Sequence, residues 1–198
     1  MFSEAEIAII IKDEEIDKIV DQLKQDFITN EAPYMEISNH DFLSLILLST
    51  DVGKKMANKH VSFSEEMSLQ KKARKYSKGG FFLSSDPVVD GLKFLLKNFD
   101  AWEDKFYAAI NKCSKVLFRS DDLQLINDKS IDFETKVMYS PYLLIRFISS
   151  LFLERDEDIL NPGTIKKVEF DKLTEIGSKI GLSDYLIFNE FMAKYELK

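Results

Sequence analysis

The chain contains one cysteine, Cys113, so no disulfide can form within it and an oxidising compartment is not implied. It contains two histidines, His40 and His60. A structural zinc site normally takes four Cys or His ligands at characteristic spacings, and three such side chains in the whole chain are too few. Carboxylates are plentiful, but no calcium-loop pattern runs through them. These shortages give an expectation of no metal and no cofactor. Long apolar runs are also missing. The most apolar segment, Tyr142 to Leu153, is interrupted by Arg146, Ser149 and Ser150, and falls short of the ~20 residues of a membrane span. Met1 to Glu6 carries no positive charge cluster, and Ile7 to Ile11 is too short for the apolar core of a secretory signal. A soluble, cytoplasmic protein without a membrane partner is the expectation.

What is present suits a folded core. The 198 residues include 16 phenylalanines, and 45% are hydrophobic, enough apolar area to offset the ordering entropy of the chain. The length is that of one domain. Acids outnumber bases by 34 to 27, for a net charge of −7, which repels nucleic acid on average and favours a basic partner.

Capping signals and helical spacing recur along the chain. Ser3-x-x-Glu6 reads as a capping box for a first helix, and Asp13 either caps a second or lies within a continuous one, with Ile16, Ile19, Val20, Leu23 and Phe27 at helical intervals. Asn30-Glu31-Ala32-Pro33 ends that helix. Asn39 opens another, whose Phe42 to Leu48 cover most of its circumference and require burial on several sides, with Gly53 near its end. Ser62 or Ser64 starts a polar helix to about Ser77, and Gly79-Gly80 breaks the chain before an extended Phe81-Phe82-Leu83. Ser85-Asp86-Pro87 opens a fifth helix and Asp100-x-x-Glu103 a sixth.

Ile131, Phe133, Thr135, Val137 and Tyr139 alternate with Asp132, Glu134, Lys136 and Met138, the best strand signature in the sequence. Ser140-Pro141 starts the apolar helix from Tyr142. Asn161-Pro162 or Thr164 starts the next, Gly177 and Gly181 bracket a turn, and Ser183-Asp184 caps the last helix. The expected fold is mainly α: an irregular multi-helix single domain over residues 1–198, with one short β element at most.

No catalytic motif emerges. His40-Asp41 lacks the earlier histidine and later aspartate that metal-dependent phosphohydrolases of the His-Asp type require, and reads as a polar helix start. All four arginines follow both histidines, which excludes the Arg-before-His order of helical ribonuclease toxins. Cys113 has Lys112 and Lys115 nearby but no adjacent base, and reads as a small core residue. Lys78-Gly79-Gly80 lacks the spacing of a phosphate-binding loop and reads as a helix-ending turn.

Two charge clusters remain. Lys71, Lys72, Arg74, Lys75 and Lys78 lie in a segment without an acid, and all but Lys72 fall at i, i+3, i+4 and i+7. Glu154, Asp156, Glu157 and Asp158 place four acids in five residues between two helices. The favoured reading is an acidic protein-binding module that is not an enzyme. Its most concrete form is an immunity protein neutralising a basic toxin or effector through the acidic stretch. The alternative is a regulatory or defence-related scaffold contacting nucleic acid or an acidic partner through the Lys71–Lys78 patch.

Overall fold

The computed structural model describes residues 2–57, 61–81, 84–118, 123, 125–153 and 157–198. Within them the chain forms ten α-helices and one short parallel strand pair, so the mainly α multi-helix class holds. The helices gather into two compact units, Phe2–Cys113 and Ser114–Lys198.

The first unit is built around a helix that has no solvent face. Helix α3 (Asn39–Met56) buries fourteen consecutive residues, His40 to Gly53. Helices α1 (Glu4–Ile10), α2 (Glu14–Glu31), α4 (Phe63–Tyr76) and α5 (Pro87–Lys97) all pack on it. The starts of these helices are set by residues the sequence marks, except that α3, which begins at Asn39 as expected, is capped by the unmarked Ser38. Ser3 and Ser62 form capping boxes with Glu6 and Glu65, while Asp13, Ser38 and Asp86 accept from the free N–H groups of α2, α3 and α5.

Packing between these helices is close and aromatic. Phe27 of α2 meets Phe42 of α3 at 5.8 Å, and meets Trp102 and Phe106 of α6 (Phe99–Leu117) at 5.0 and 5.6 Å. The Glu31 carboxylate, at the end of α2, accepts from Trp102 Nε1 at 2.7 Å and from the Asn98 amide at the α5–α6 junction. Gly91 lets α5 approach α3, because a Cβ there would lie 2.8 Å from Leu45 Cδ2. Gly53 does not end α3; it leaves room for the Tyr107 hydroxyl.

The second unit corrects several expectations. Ile131 to Tyr139 is not a strand: α7 spans Phe133–Tyr139. Asp132 accepts the Thr135 N–H at 2.9 Å and so nucleates a helix. Phe133 and Lys136, three residues apart, then face inward, a helical spacing that outweighs the alternation. Lys136 is fully buried, and its ammonium donates to Glu190 of α10 (Leu186–Met192).

Neither Asn161-Pro162 nor Thr164 begins a helix. Thr164–Ile165 forms strand β1, parallel to β2 (Glu196–Leu197), with the Lys198 N–H donating to the Ile165 carbonyl at 2.9 Å. Helix α9 (Lys167–Lys179) starts without a side-chain cap, so capping residues were no guide to its position. Ser183 and Asp184 lie in a 3₁₀ turn rather than capping α10; the Asn127 side chain accepts the Leu186 N–H instead.

Gly177 lies inside α9 rather than at a turn, while Gly181, with φ of 80°, makes the turn alone. Helix α8 (Tyr142–Phe152) supplies Leu144, Phe147, Ile148, Leu151 and Phe152 to the core, as its apolar sequence predicts. Among the described residues no helix is long and apolar enough to cross a membrane. The extended piece expected at Phe81-Phe82-Leu83 falls partly outside the described residues.

Two substitutions test this packing. A Cβ on Gly177 would lie 2.3 Å from the Phe188 ring, an overlap that costs about 1–3 kcal/mol and exceeds the roughly 0.5–1 kcal/mol that alanine gains inside a helix. Gly177→Ala should therefore lower stability in urea unfolding; a stabilised variant would contradict the α9–α10 packing. Leu144 is fully buried, and Leu144→Ala should cost ~2–5 kcal/mol. A loss below about 1 kcal/mol, the range of surface changes, would contradict its burial.

Candidate binding surfaces

The basic segment is divided by its helix. Leu69, Ala73 and Tyr76 form the buried face of α4, which leaves Lys71, Arg74 and Lys75 exposed. None of these three ammonium or guanidinium groups meets a carboxylate among the described residues. Lys78 is also exposed but lies beyond the helix end, where its backbone N–H donates to Asp41 Oδ1 at 3.0 Å. Lys72 turns inward. Its ammonium binds one oxygen of Asp51 on α3, and Lys54 binds the other at 2.9 Å. Burial resists ionisation of Asp51, but the two ammoniums outweigh it and hold the carboxyl below its usual range.

His40 and Asp41 tie helices together. His40 Nδ1 lies 3.3 Å from Asp41 Oδ1, and Nε2 lies 3.3 Å from the Glu4 carbonyl of α1. Asp41 Oδ2 accepts from Ser38 Oγ at 2.8 Å. With the Lys78 N–H, this small network joins the start of α3 to α1 and to the end of α4. Cys113 is buried, and burial together with the Asp13 carboxylate pushes its thiol up to about 12, which leaves it a very poor nucleophile near neutral pH. His60 lies outside the described residues. Among the described residues no three His, Cys, Asp or Glu side chains converge as a metal site would require.

The acidic stretch is only partly described. Glu154 and Asp156 lie outside the described residues; Glu157 is half-buried and Asp158 exposed. Asp158 also shapes its own turn, accepting the Leu160 N–H at 3.0 Å.

The exposed apolar side chains were not singled out in the sequence. Met138, Tyr139 and Tyr142 are 78%, 69% and 65% exposed at the turn from α7 to α8. Reading the segment as a strand put Tyr139 on the buried side; the helix turns it out to solvent. Arg146, one turn along α8, sits 6.0 Å from the Tyr142 ring. Ser140-Pro141, read as the start of an apolar helix, marks this junction but not which way its aromatics point.

In the first unit, a groove of about 650 Å³ separates the Ala32–Met35 connection from α5. Its α5 wall is formed by Asp90, Lys93, Phe94 and Lys97, at i, i+3, i+4 and i+7. Comparison of the chain with family models, curated proteins and solved structures returns no match.

The Asp51 triad has a definite pH signature. Because folding lowers the pKa of this carboxyl, its contribution is complete above the ordinary value of 3.8 and is lost as pH falls through the lower folded value. Asp51→Asn should destabilise the protein at pH 7, at or below the lower end of the roughly 3–5 kcal/mol for breaking a buried pair, since both ammoniums retain some water contact. The gap between wild type and variant should shrink as the pH is lowered below 4 in urea titrations. A gap that stays constant with pH would contradict the ionised triad.

Proposed function

We propose that the chain is a protein-binding module. The observation that carries this reading is the aromatic turn between α7 and α8. Three large apolar side chains, each more than 60% exposed, fall within five residues and have an arginine beside them. Tyr, Met and Arg are the residues enriched at the centres of protein interfaces, where large side chains become desolvated in a partner's pockets. Single exposed apolar residues are ordinary on a surface; a concentrated group is not.

The partner is a basic protein. The net charge of −7 favours one, and exposed acids precede the turn at Asp128, Asp132 and Glu134. The acidic stretch around Glu157 and Asp158 adds to the same field. Charge of this kind steers encounter, while the aromatic turn supplies affinity. An immunity protein that covers a basic toxin or effector is the most concrete form of this reading. A second reading, a scaffold that takes an acidic partner on α4, is favoured by the exposure of Lys71, Arg74 and Lys75 without carboxylate partners among the described residues.

The test begins with co-purification from the native organism and identification of the bound protein. Its affinity for the wild-type chain and for Tyr139→Ala/Tyr142→Ala is then measured. The double variant should bind at least roughly tenfold more weakly, with an unchanged helical spectrum. Reversing Glu154, Glu157 and Asp158 to lysine should slow association and flatten its salt dependence. Unchanged affinity in the tyrosine variant would remove the aromatic turn from the interface, and an acidic partner that is lost with those tyrosines would overturn the charge assignment.

A further inference from the structure

The groove beside α5 has a composition that the aromatic turn does not explain. Its lining is largely apolar, formed by the Ala32–Met35 connection and Phe94. Tyr34 is 97% exposed at its edge, and Phe94 presents 38% of its surface. The remaining α5 side chains along it are charged. Lys93 pairs with Asp90 at 2.9 Å, but Lys97, one turn further along, meets no carboxylate among the described residues.

A second depression of about 430 Å³ shares Asp90 and Lys93 with the groove and has Arg74 of α4 on its wall. The cationic border therefore runs from Lys97 through Lys93 to Arg74, and on to Lys71, one turn before Arg74, and to Lys75, one turn from Lys71 on the exposed side of α4. In a chain of net charge −7, this sets two cations that meet no carboxylate among the described residues, Lys97 in the groove and Arg74 in the depression that adjoins it.

We propose that this groove binds a short acidic segment of a partner protein, with a large apolar side chain seated against Tyr34 and Phe94 and carboxylates placed on Lys97 and Arg74. Burial of the apolar anchor provides affinity, and the cations fix its direction. The wall from Asp90 to Lys97 spans about 10 Å, enough for roughly two turns of a bound helix or a few extended residues.

Nucleic acid fits less well. A nucleic acid carries a phosphate at every residue and would set several of them over Asp90 within the groove and Asp86 beside it, whereas a peptide can pass these acids with uncharged residues and place its few carboxylates on Lys97 and Arg74. The proposal extends the second reading above, from a charged stripe to a groove with a defined occupant, and is independent of the aromatic turn.

The full chain is used to select from a displayed library of random dodecapeptides, with an unrelated acidic protein as the control surface. Selected peptides should be net negative and carry Leu, Phe or Trp. Their affinity should fall at least roughly tenfold in Phe94→Asp and in Lys97→Glu, and should be unchanged in Tyr139→Ala/Tyr142→Ala. Tyr34→Ser, at a nearly fully exposed position, provides the same test without risk to the fold, and should also weaken binding.

No enrichment over the control, or enrichment of uncharged or basic peptides, would overturn the proposal. Peptides lost in Lys71→Glu/Lys75→Glu but untouched by Phe94→Asp and Tyr34→Ser would leave the charged stripe standing and remove the groove. A single-stranded oligonucleotide bound more tightly than any selected peptide, and released by Arg74→Glu, would replace the peptide with nucleic acid.

Discussion

A helix with no exposed face imposes a strict condition: every polar group on it must find a partner inside the protein. Helix α3 is such a helix, and six of its buried residues are polar or charged. Ser44 donates to the His40 carbonyl and lies equally close to the Tyr76 carbonyl at the end of α4. Ser49 and Thr50 return their hydroxyls to carbonyls of their own helix. His40, Asp41 and Asp51 find only part of their bonding locally, and each adds another element: α1, the chain beyond α4, and Lys72 within α4. The polar groups of α3 thus help to determine where its neighbours sit, while its apolar residues provide most of the burial energy.

The same condition shapes the surface. Asp51 draws Lys72 inward and so removes one cation from the exposed side of α4, leaving Lys71, Arg74 and Lys75 outside. Gly91 brings α5 against Leu45, which positions Phe94 and Lys97 along the groove. In the second unit, the buried Lys136 and its bond to Glu190 fix the rotation of α7, and that rotation turns Met138 and Tyr139 outward. The surfaces that could meet a partner are therefore consequences of how charges inside each unit are satisfied.

Much of the helical architecture could be read from local chemistry. Ser3, Asp13, Ser62 and Asp86 mark helix starts because capping is a short-range interaction, and the apolar density of Phe42–Leu48 required burial on several sides. What failed depended on distant partners. The alternation from Ile131 to Tyr139 resembles a strand until Lys136 finds Glu190, 54 residues away. Gly177 resembles a turn until Phe188 packs over it. Helices α9 and α10 carry no side-chain cap, so no local mark shows where they begin. The basic stripe was visible as a run of charges, but its pairing with an apolar groove was not, because the groove joins residues 32–35 to residues 90–97.

Helix α3 is the internal support on which the first unit's helices and its surfaces depend. Native-state amide hydrogen exchange measures this directly. The amides from Leu43 to Val52 should open only with global unfolding of that unit, with the highest opening free energies in it and a denaturant dependence matching full unfolding. Opening of these amides at lower free energy than those of α4 or α5, or by a local fluctuation that denaturant does not promote, would contradict the account.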